Sequence, residues 1–128
     1  MITEPNASKA KQLIKNSKSE NIEILSQDHA FNRAVIEYGK FSTIIFPNTK
    51  IKTRRTLRMI DSGLDRVSAK AAAKNKITIS YDISALRNLS KKEKAIEMEK
   101  FLRIIKLVRK HKAKFQFLNA KSNQPLSF

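Results

Sequence analysis

The chain contains no cysteine and only two glycines among its 128 residues. The absence of cysteine excludes disulfide bonds, thiolate nucleophiles and cysteine-ligated zinc, and it is typical of a reducing compartment. Two isolated glycines also exclude a glycine-rich phosphate-binding loop. No apolar run approaches the roughly 20 residues that a membrane-spanning helix needs, and no secretory hydrophobic segment follows Met1. We therefore expect a cytoplasmic protein that does not associate with membranes.

Acidic residues are also scarce. The chain has 27 Lys and Arg residues against 11 Asp and Glu residues, which gives a net charge of +16. Such a chain repels itself, and a polyanion would relieve that repulsion while releasing its own condensed counterions. Nucleic acid is therefore the leading candidate partner.

With 41% apolar residues, residues 1–128 are expected to form one domain, and residues 121–128 a flexible tail.

Helical and strand patterns alternate along the chain. Asp28 is expected to cap a helix that stops at Gly39. This alternation favours parallel strands joined by right-handed crossovers. Because a closed eightfold barrel needs about 250 residues, we predict an α/β fold with a partial or open TIM-barrel-like arrangement of about four parallel strands and flanking helices. Strands are predicted at 21–27, 41–46, 76–82 and 114–120, and further helices at 7–19, 64–74 and 91–112.

Apolar residues at helical spacing predict the buried side of each helix. Ser62 is expected to cap the helix at 64–74 in a capping box with Asp65, and Lys100 to lie on the solvent side of the last helix. Phe31, Phe101 and Phe115 are expected in the core and not as platforms for nucleobases. The predicted buried positions are Ala10, Leu13 and Ile14 in the first helix, Leu64, Val67, Ser68 and Ala71 in the helix at 64–74, and Met98, Phe101, Leu102, Ile105 and Val108 in the last.

No catalytic constellation is visible. The two histidines, His29 and His111, lie far apart in sequence and form no metal-binding pair. His111 falls near a helix carboxyl end, where the helix dipole is expected to favour the imidazolium. Asp61 and Asp65 flank Ser62, but such proximity does not make a catalytic triad. We expect no catalytic residue and no metal ligand.

The segment Pro47–Ile60 is basic and contains no acid. Its cations could contact phosphates one by one, and the start of the following helix could hold another anion. The alternative is an ordinary solvated loop; against this net charge we favour RNA contact. The lysines of the helix at 91–112 are weaker candidates because such a face is often only solvated.

An ordered series of segments resembles a known family. It comprises "NRAVIE" (Asn32–Glu37), the strand "STIIF", "DSGLDRVSAKAAAKN" (Asp61–Asn75), the strand "ITIS", a long basic helix and the strand "FQFLNA". The series is similar to archaeal ribonuclease P protein component 3, the counterpart of the thirty-kilodalton subunit of the eukaryotic enzyme, over about Ala7 to Asn123.

The resemblance implies a TIM-barrel-like protein without an active site of its own. It would act in an endonuclease whose RNA, with magnesium, hydrolyses the phosphodiester between the 5′ leader and mature tRNA, and the protein itself would bind no cofactor. Its implied partners are the RNase P RNA, precursor tRNA and a small α/β RNase P protein. Open sheet edges also suggest self-association.

Two other functions remain open on the sequence. One is a basic RNA-binding module, similar to a ribosomal protein and unrelated to tRNA processing, and the other is an autonomous metal-dependent hydrolase.

Recurrent residues of the resembled family lie at the carboxyl ends of strands, where α/β folds place function. The positions of this sequence that match them are Asn32, Arg33, Asp61, Ser62 and Gly63. The predicted RNA-binding residues are Arg33, Lys50, Lys52, Arg54, Arg55, Arg58 and Ser62.

Overall fold

A computed structural model describes residues 1–18, 21–51 and 61–119. Within these ranges, helices and strands alternate as the sequence pattern predicts, with element bounds that are mostly shorter. The predicted tail at 121–128 and most of the basic segment, from Lys52 onward, lie outside the described residues. The elements are α1 (Ala7–Asn16), β1 (Glu23–Leu25), α2 (His29–Tyr38), β2 (Thr43–Phe46), α3 (Arg66–Lys74), β3 (Thr78–Asp82), a 3₁₀ turn (Ile83–Leu86), α4 (Lys91–His111) and β4 (Lys114–Leu118).

The four described strands form one parallel sheet in the order β1-β2-β3-β4. Ile44 of β2 lies beside Ile24 of β1 and Ile79 of β3, which fixes the register across the sheet. On the outer edge of β1, Ile2 exchanges backbone hydrogen bonds with Glu23 and Leu25. This topology confirms the predicted α/β fold with four parallel strands and flanking helices.

The core lies between the sheet and a layer of helices. Successive helices contact one another along the sheet, α1 with α2, α2 with α3, and α3 with α4. Alternate strand residues point toward this layer, and Ile24, Ile44 and Tyr81 among them are fully buried. Phe31 and Phe101 are buried and Phe115 packs against the core, as predicted. The opposite sheet face carries Ser80, whose hydroxyl accepts a hydrogen bond from Gln116.

Side chains at the helix starts explain where the helices begin. Asp28 accepts a hydrogen bond from the backbone N–H of Phe31, and Gly39 ends α2 at a φ of 72°, as predicted. The predicted cap of α3 is wrong, because Asp65 and not Ser62 is the N-cap residue. Among these residues only Asp65 is placed to accept from an N–H group in the first turn of α3, that of Ser68.

The predicted buried stripe of α4 is confirmed in part. Phe101 and Val108 are buried and Ile105 packs against the core, but Leu102 is 59% exposed, and the buried residues also include Glu97, Lys100 and Ile104. The placement of Lys100 on the solvent side was therefore wrong. Two other predicted core residues, Leu13 of α1 and Val67 of α3, are also exposed. Among the described helices, none is long and apolar enough to cross a membrane.

Candidate functional site

A cavity of about 150 Å³ lies at the carboxyl end of the sheet. Parallel strands end at the same edge, so the residues that follow β1 and β2 are brought together there. The loop that begins at Asp61, before α3, closes one side of the cavity, and the first turns of α4 contribute Glu97 and Lys100. Phe46 and Tyr81, from the ends of β2 and β3, supply apolar wall.

Asn32 joins two of the loops at this edge. Its side-chain oxygen accepts from the Gln27 N–H at 2.8 Å, and its side-chain nitrogen donates to the carbonyls of Gln27, at 3.1 Å, and Gly63, at 2.9 Å. Gly63 has a φ of +84°, and an added Cβ would lie 3.0 Å from the Asn32 nitrogen. The matched positions Asn32 and Gly63 therefore form one structural unit that holds the cavity wall.

Ser62 is committed within its own loop. Its hydroxyl donates to the Leu64 carbonyl at 3.0 Å and accepts from the Leu64 N–H at 3.3 Å, and only 9% of the residue is exposed. Asp61 accepts from the Gly63 N–H at 2.8 Å. The turn therefore uses these polar groups to fix its own shape, and the role of Ser62 in RNA binding stays a prediction.

The starts of α2 and α3 are linked by a hydrogen bond between His29 and Asp65. His29 Nε2 donates to the Asp65 carboxylate, and both side chains are about one third exposed. Burial acts to raise the pKa of Asp65, but the hydrogen bonds from Ser68 and His29 outweigh it and hold the pKa below its ordinary value. The pair fixes two helix ends beside the cavity.

An ion pair lies deeper, at the inner wall. Lys100 Nζ donates to Glu97 Oε1 at 3.2 Å, and the two side chains are 11% and 8% exposed. The Tyr81 hydroxyl donates to the Glu97 backbone carbonyl at 3.4 Å. Burial, followed by the neighbouring Glu97 charge, raises the pKa of Tyr81, which keeps the phenol neutral. Sequence reasoning missed this pair; the signal that could have found it is the opposite charges at i, i+3 on one helix.

Two of the six predicted RNA-binding cations, Arg33 and Lys50, lie among the described residues. Arg33 lies on the exposed side of α2, where its Nε donates to Glu37 at 3.1 Å. Lys50 is exposed in the loop after β2, and its N–H donates to the Asn48 side chain. The remaining four predicted cations, Lys52, Arg54, Arg55 and Arg58, lie outside the described residues.

A further group of cations lies on the helical layer. Arg66 and Lys70 of α3 and Lys110 of α4 are exposed and act electrostatically on His111. Loss of hydration, followed by these positive charges, lowers the pKa of His111, so the expectation that its imidazolium is favoured was wrong. Loss of hydration and the repulsion between like charges together oppose the imidazolium more than the helix carboxyl end favours it. This group could contact an anionic partner.

No set of three or more His, Asp or Glu side chains that could hold a metal ion occurs in residues 1–18, 21–51 and 61–119. The cavity can therefore be described as a polar pocket with the His29–Asp65 hydrogen bond and the Lys100–Glu97 ion pair at its walls. Its chemistry is that of a binding site with fixed acceptors, and none of the described side chains around it forms a nucleophile and base pair.

No protein-family model matches the chain, and no curated protein sequence matches it. Among solved structures, it is similar to a chain in a "cryo-EM structure of archaeal Ribonuclease P with mature tRNA". The TM-score is 0.74 at 23% sequence identity, and the match covers 91% of this chain and 48% of that chain. The two chains share a fold, and this chain spans about half the length of its structural neighbour.

Proposed function

We propose that the chain is a non-catalytic protein subunit of ribonuclease P, which binds the catalytic RNA and supports its active fold during 5′-leader removal from precursor tRNA. The observation that carries the proposal is the shared fold, over 91% of this chain, with a chain of an archaeal ribonuclease P. The resemblance noted in the sequence points to the same enzyme and, more finely, to its protein component 3.

Electrostatics supports an RNA partner. A net charge of +16 on 128 residues gives a field that attracts a polyanion at long range. Exposed cations occur on several elements, among them Arg33, Lys50, Lys70 and Lys110. Each phosphate that such a cation neutralises releases condensed counterions, which makes binding favourable and strongly dependent on salt.

The proposal assigns the chemistry to the RNA and its magnesium. The described polar side chains at the carboxyl edge are engaged in loop hydrogen bonds and ion pairs, as Asn32, Ser62 and Asp65 illustrate. A protein of this kind contributes by positioning the RNA and by neutralising its charge. A small α/β protein is the proposed companion subunit, and precursor tRNA is the substrate of the assembly.

The identity of the bound RNA tests the proposal. RNA that copurifies with the chain from its own cells should be enriched in RNase P RNA. Enrichment of ribosomal RNA in its place would favour a general RNA-binding module and would contradict the proposed function.

The salt dependence of RNA binding tests the predicted contacts. Replacing Arg54, Arg55 and Arg58 by Ala should weaken binding and lower the log–log salt slope by about 1 for each lost phosphate contact. A matched control replaces three exposed residues of α4, Lys91, Lys92 and Lys94, by Ala and so removes the same charge. Equal slopes for the two variants would show that only net charge matters and would reject the assigned contacts.

A further inference from the structure

The described lining of the cavity at the carboxyl edge carries an excess of negative charge, although the chain is strongly basic. Among the described residues, the lining includes the carboxylates of Asp28, Asp61 and Glu97 and one ammonium group, that of Lys100. His29 also lines it, but its ring is hydrogen-bonded to the Asp65 carboxylate, so this pair adds no net positive charge. The negative charge of this described lining favours a cation over phosphate.

The inner wall contains a buried acceptor that lacks a donor. The Glu97 side chain is 8% exposed, and its Oε1 accepts from Lys100. Its Oε2 is buried and accepts no hydrogen bond from the described residues. An unsatisfied buried acceptor is costly, particularly on an ionised group, so a donor that reached Oε2 from the cavity would be stabilised there.

Two further carboxylates, those of Asp28 and Asp61, line the more exposed part of the cavity. Asp28 Oδ1 accepts from the Phe31 N–H at 2.8 Å, and Asp61 Oδ1 accepts from the Gly63 N–H at 2.8 Å. These bonds hold both side chains in place, and no described residue donates to either Oδ2. Fixed acceptors bind a cation with little loss of side-chain freedom.

The size and walls of the cavity favour a flat cation. About 150 Å³ is the volume of an engineered protein cavity that accepts benzene. Phe46, Tyr81 and Ile104 give it apolar surface. A guanidinium is planar, weakly hydrated and stacks on aromatic faces, and its five N–H donors match several carboxylate oxygens. Direct coordination of a metal would need a ligand set that the described residues do not form.

Besides Lys100, the start of α2 is a described feature at the cavity that favours an anion. A helix amino end carries the equivalent of about half a positive charge. Asp28 caps this end and places a full negative charge on it. The carboxylates therefore outweigh the helix dipole.

We propose that this cavity binds a guanidinium group, with Glu97 as the inner acceptor and Asp28 and Asp61 as the outer acceptors. The group could come from an arginine side chain of another protein or from a free guanidino compound. Both sources present the same chemistry to the cavity, and different probes distinguish them.

The test is an NMR titration of the full chain, followed through its backbone amides. Methylguanidinium should give saturable shifts at Gly63, Ala30 and other cavity amides, with a Kd on the order of millimolar, as suits so small a ligand. Methylammonium should bind more weakly, and inorganic phosphate should give no saturable shift at these amides. No saturation with methylguanidinium, or saturation with phosphate, would overturn the proposal.

A charge-removing variant locates the site. Asp61→Asn keeps an oxygen for the Gly63 N–H but removes the charge, and it should weaken methylguanidinium binding at least about tenfold. Glu23→Gln makes the same change on an exposed residue at the other end of β1 and should leave the affinity unchanged. Unchanged amide shifts elsewhere will show that both variants fold. Equal affinities for the two variants would overturn the proposal.

Two larger probes identify the source of the guanidinium. Tighter binding of N-acetyl-arginine amide than of agmatine would indicate an arginine side chain, and the reverse order would indicate a free compound. Either order supports the cavity as a guanidinium site. Failure of both probes to compete with methylguanidinium would contradict it.

Discussion

Replacing Asn32 by Asp should destabilise the chain strongly, although the two side chains have nearly the same shape. Asn32 is fully buried, and its nitrogen donates to the carbonyls of Gln27 and Gly63. In the variant, a carboxylate oxygen would face both carbonyl oxygens. The Gln27 N–H, at 2.8 Å from the present side-chain oxygen, would keep its acceptor. The substitution therefore removes only the two donated hydrogen bonds.

The magnitude follows from those two bonds and from the introduced charge. Each lost hydrogen bond removes about 1 kcal/mol, and each carbonyl left without a donor adds a desolvation cost of similar size. A buried carboxylate without a cation adds to the loss unless it takes up a proton. We expect the free energy of unfolding to fall by about 3–5 kcal/mol at pH 7, against a typical total of 5–15 kcal/mol. Because burial favours the protonated carboxyl, the loss should shrink as the pH falls.

Urea unfolding, followed by circular dichroism, measures this loss. Arg33→Ala, at the next residue, is the control: the Arg33 side chain is 48% exposed in its pair with Glu37, so the change should stay within about 0.5 kcal/mol. A loss below about 1 kcal/mol for Asn32→Asp, or one equal to that of the control, would refute the role of Asn32 in holding the two loops together.

Three further predictions concern the cavity walls. Lys100→Met should lower the free energy of unfolding by about 3–5 kcal/mol, because it leaves the Glu97 carboxylate buried and unpaired. Adding Glu97→Gln should restore much of that free energy. If urea unfolding showed that the two substitutions have additive effects, the pairing would be contradicted. Gly63→Ala should lower the free energy of unfolding by about 1–3 kcal/mol, because the φ of Gly63 is +84° and the new Cβ would lie 3.0 Å from the Asn32 side chain. An unchanged Tm would be inconsistent with that geometry. The Asp65 carboxylate stabilises the fold above its unfolded pKa of about 4, and this contribution is lost as the pH falls through its lower folded pKa. The difference in unfolding free energy between the original chain and Asp65→Asn should therefore become smaller in acid. A difference that does not depend on pH would contradict this role of Asp65.

The sequence predicts most of the fold because local signals and periodicity agree in many elements. α2 begins after its N-cap Asp28 and ends at Gly39, as predicted. α4 is only one residue shorter than its predicted range. The strands alternate with helices, which is the pattern that requires parallel pairing. These features depend on short stretches of chain, so a single sequence contains them.

Features that depend on which side chains pair in the folded chain were not read in this way. Lys100 is buried because Glu97, one turn earlier, neutralises it, and a hydrophobic period treats both residues as solvent-facing. Asp65, not Ser62, caps α3, although both side chains could accept a hydrogen bond from the first turn. The Ser62 hydroxyl already accepts one from the Leu64 N–H within the turn at Gly63. The cavity itself forms only when separate loops meet at one edge of the sheet.

Cleavage of precursor tRNA in a reconstituted reaction tests the central claim most directly. The rate is measured at low Mg²⁺ with RNase P RNA and the small α/β partner, with and without this chain, and with a lysine peptide of equal net charge as the control for charge alone. We predict that the chain raises the rate, that the peptide does not, and that the chain without RNA cleaves nothing. An unchanged rate, or Mg²⁺-dependent cleavage by the RNA-free chain, would contradict the account.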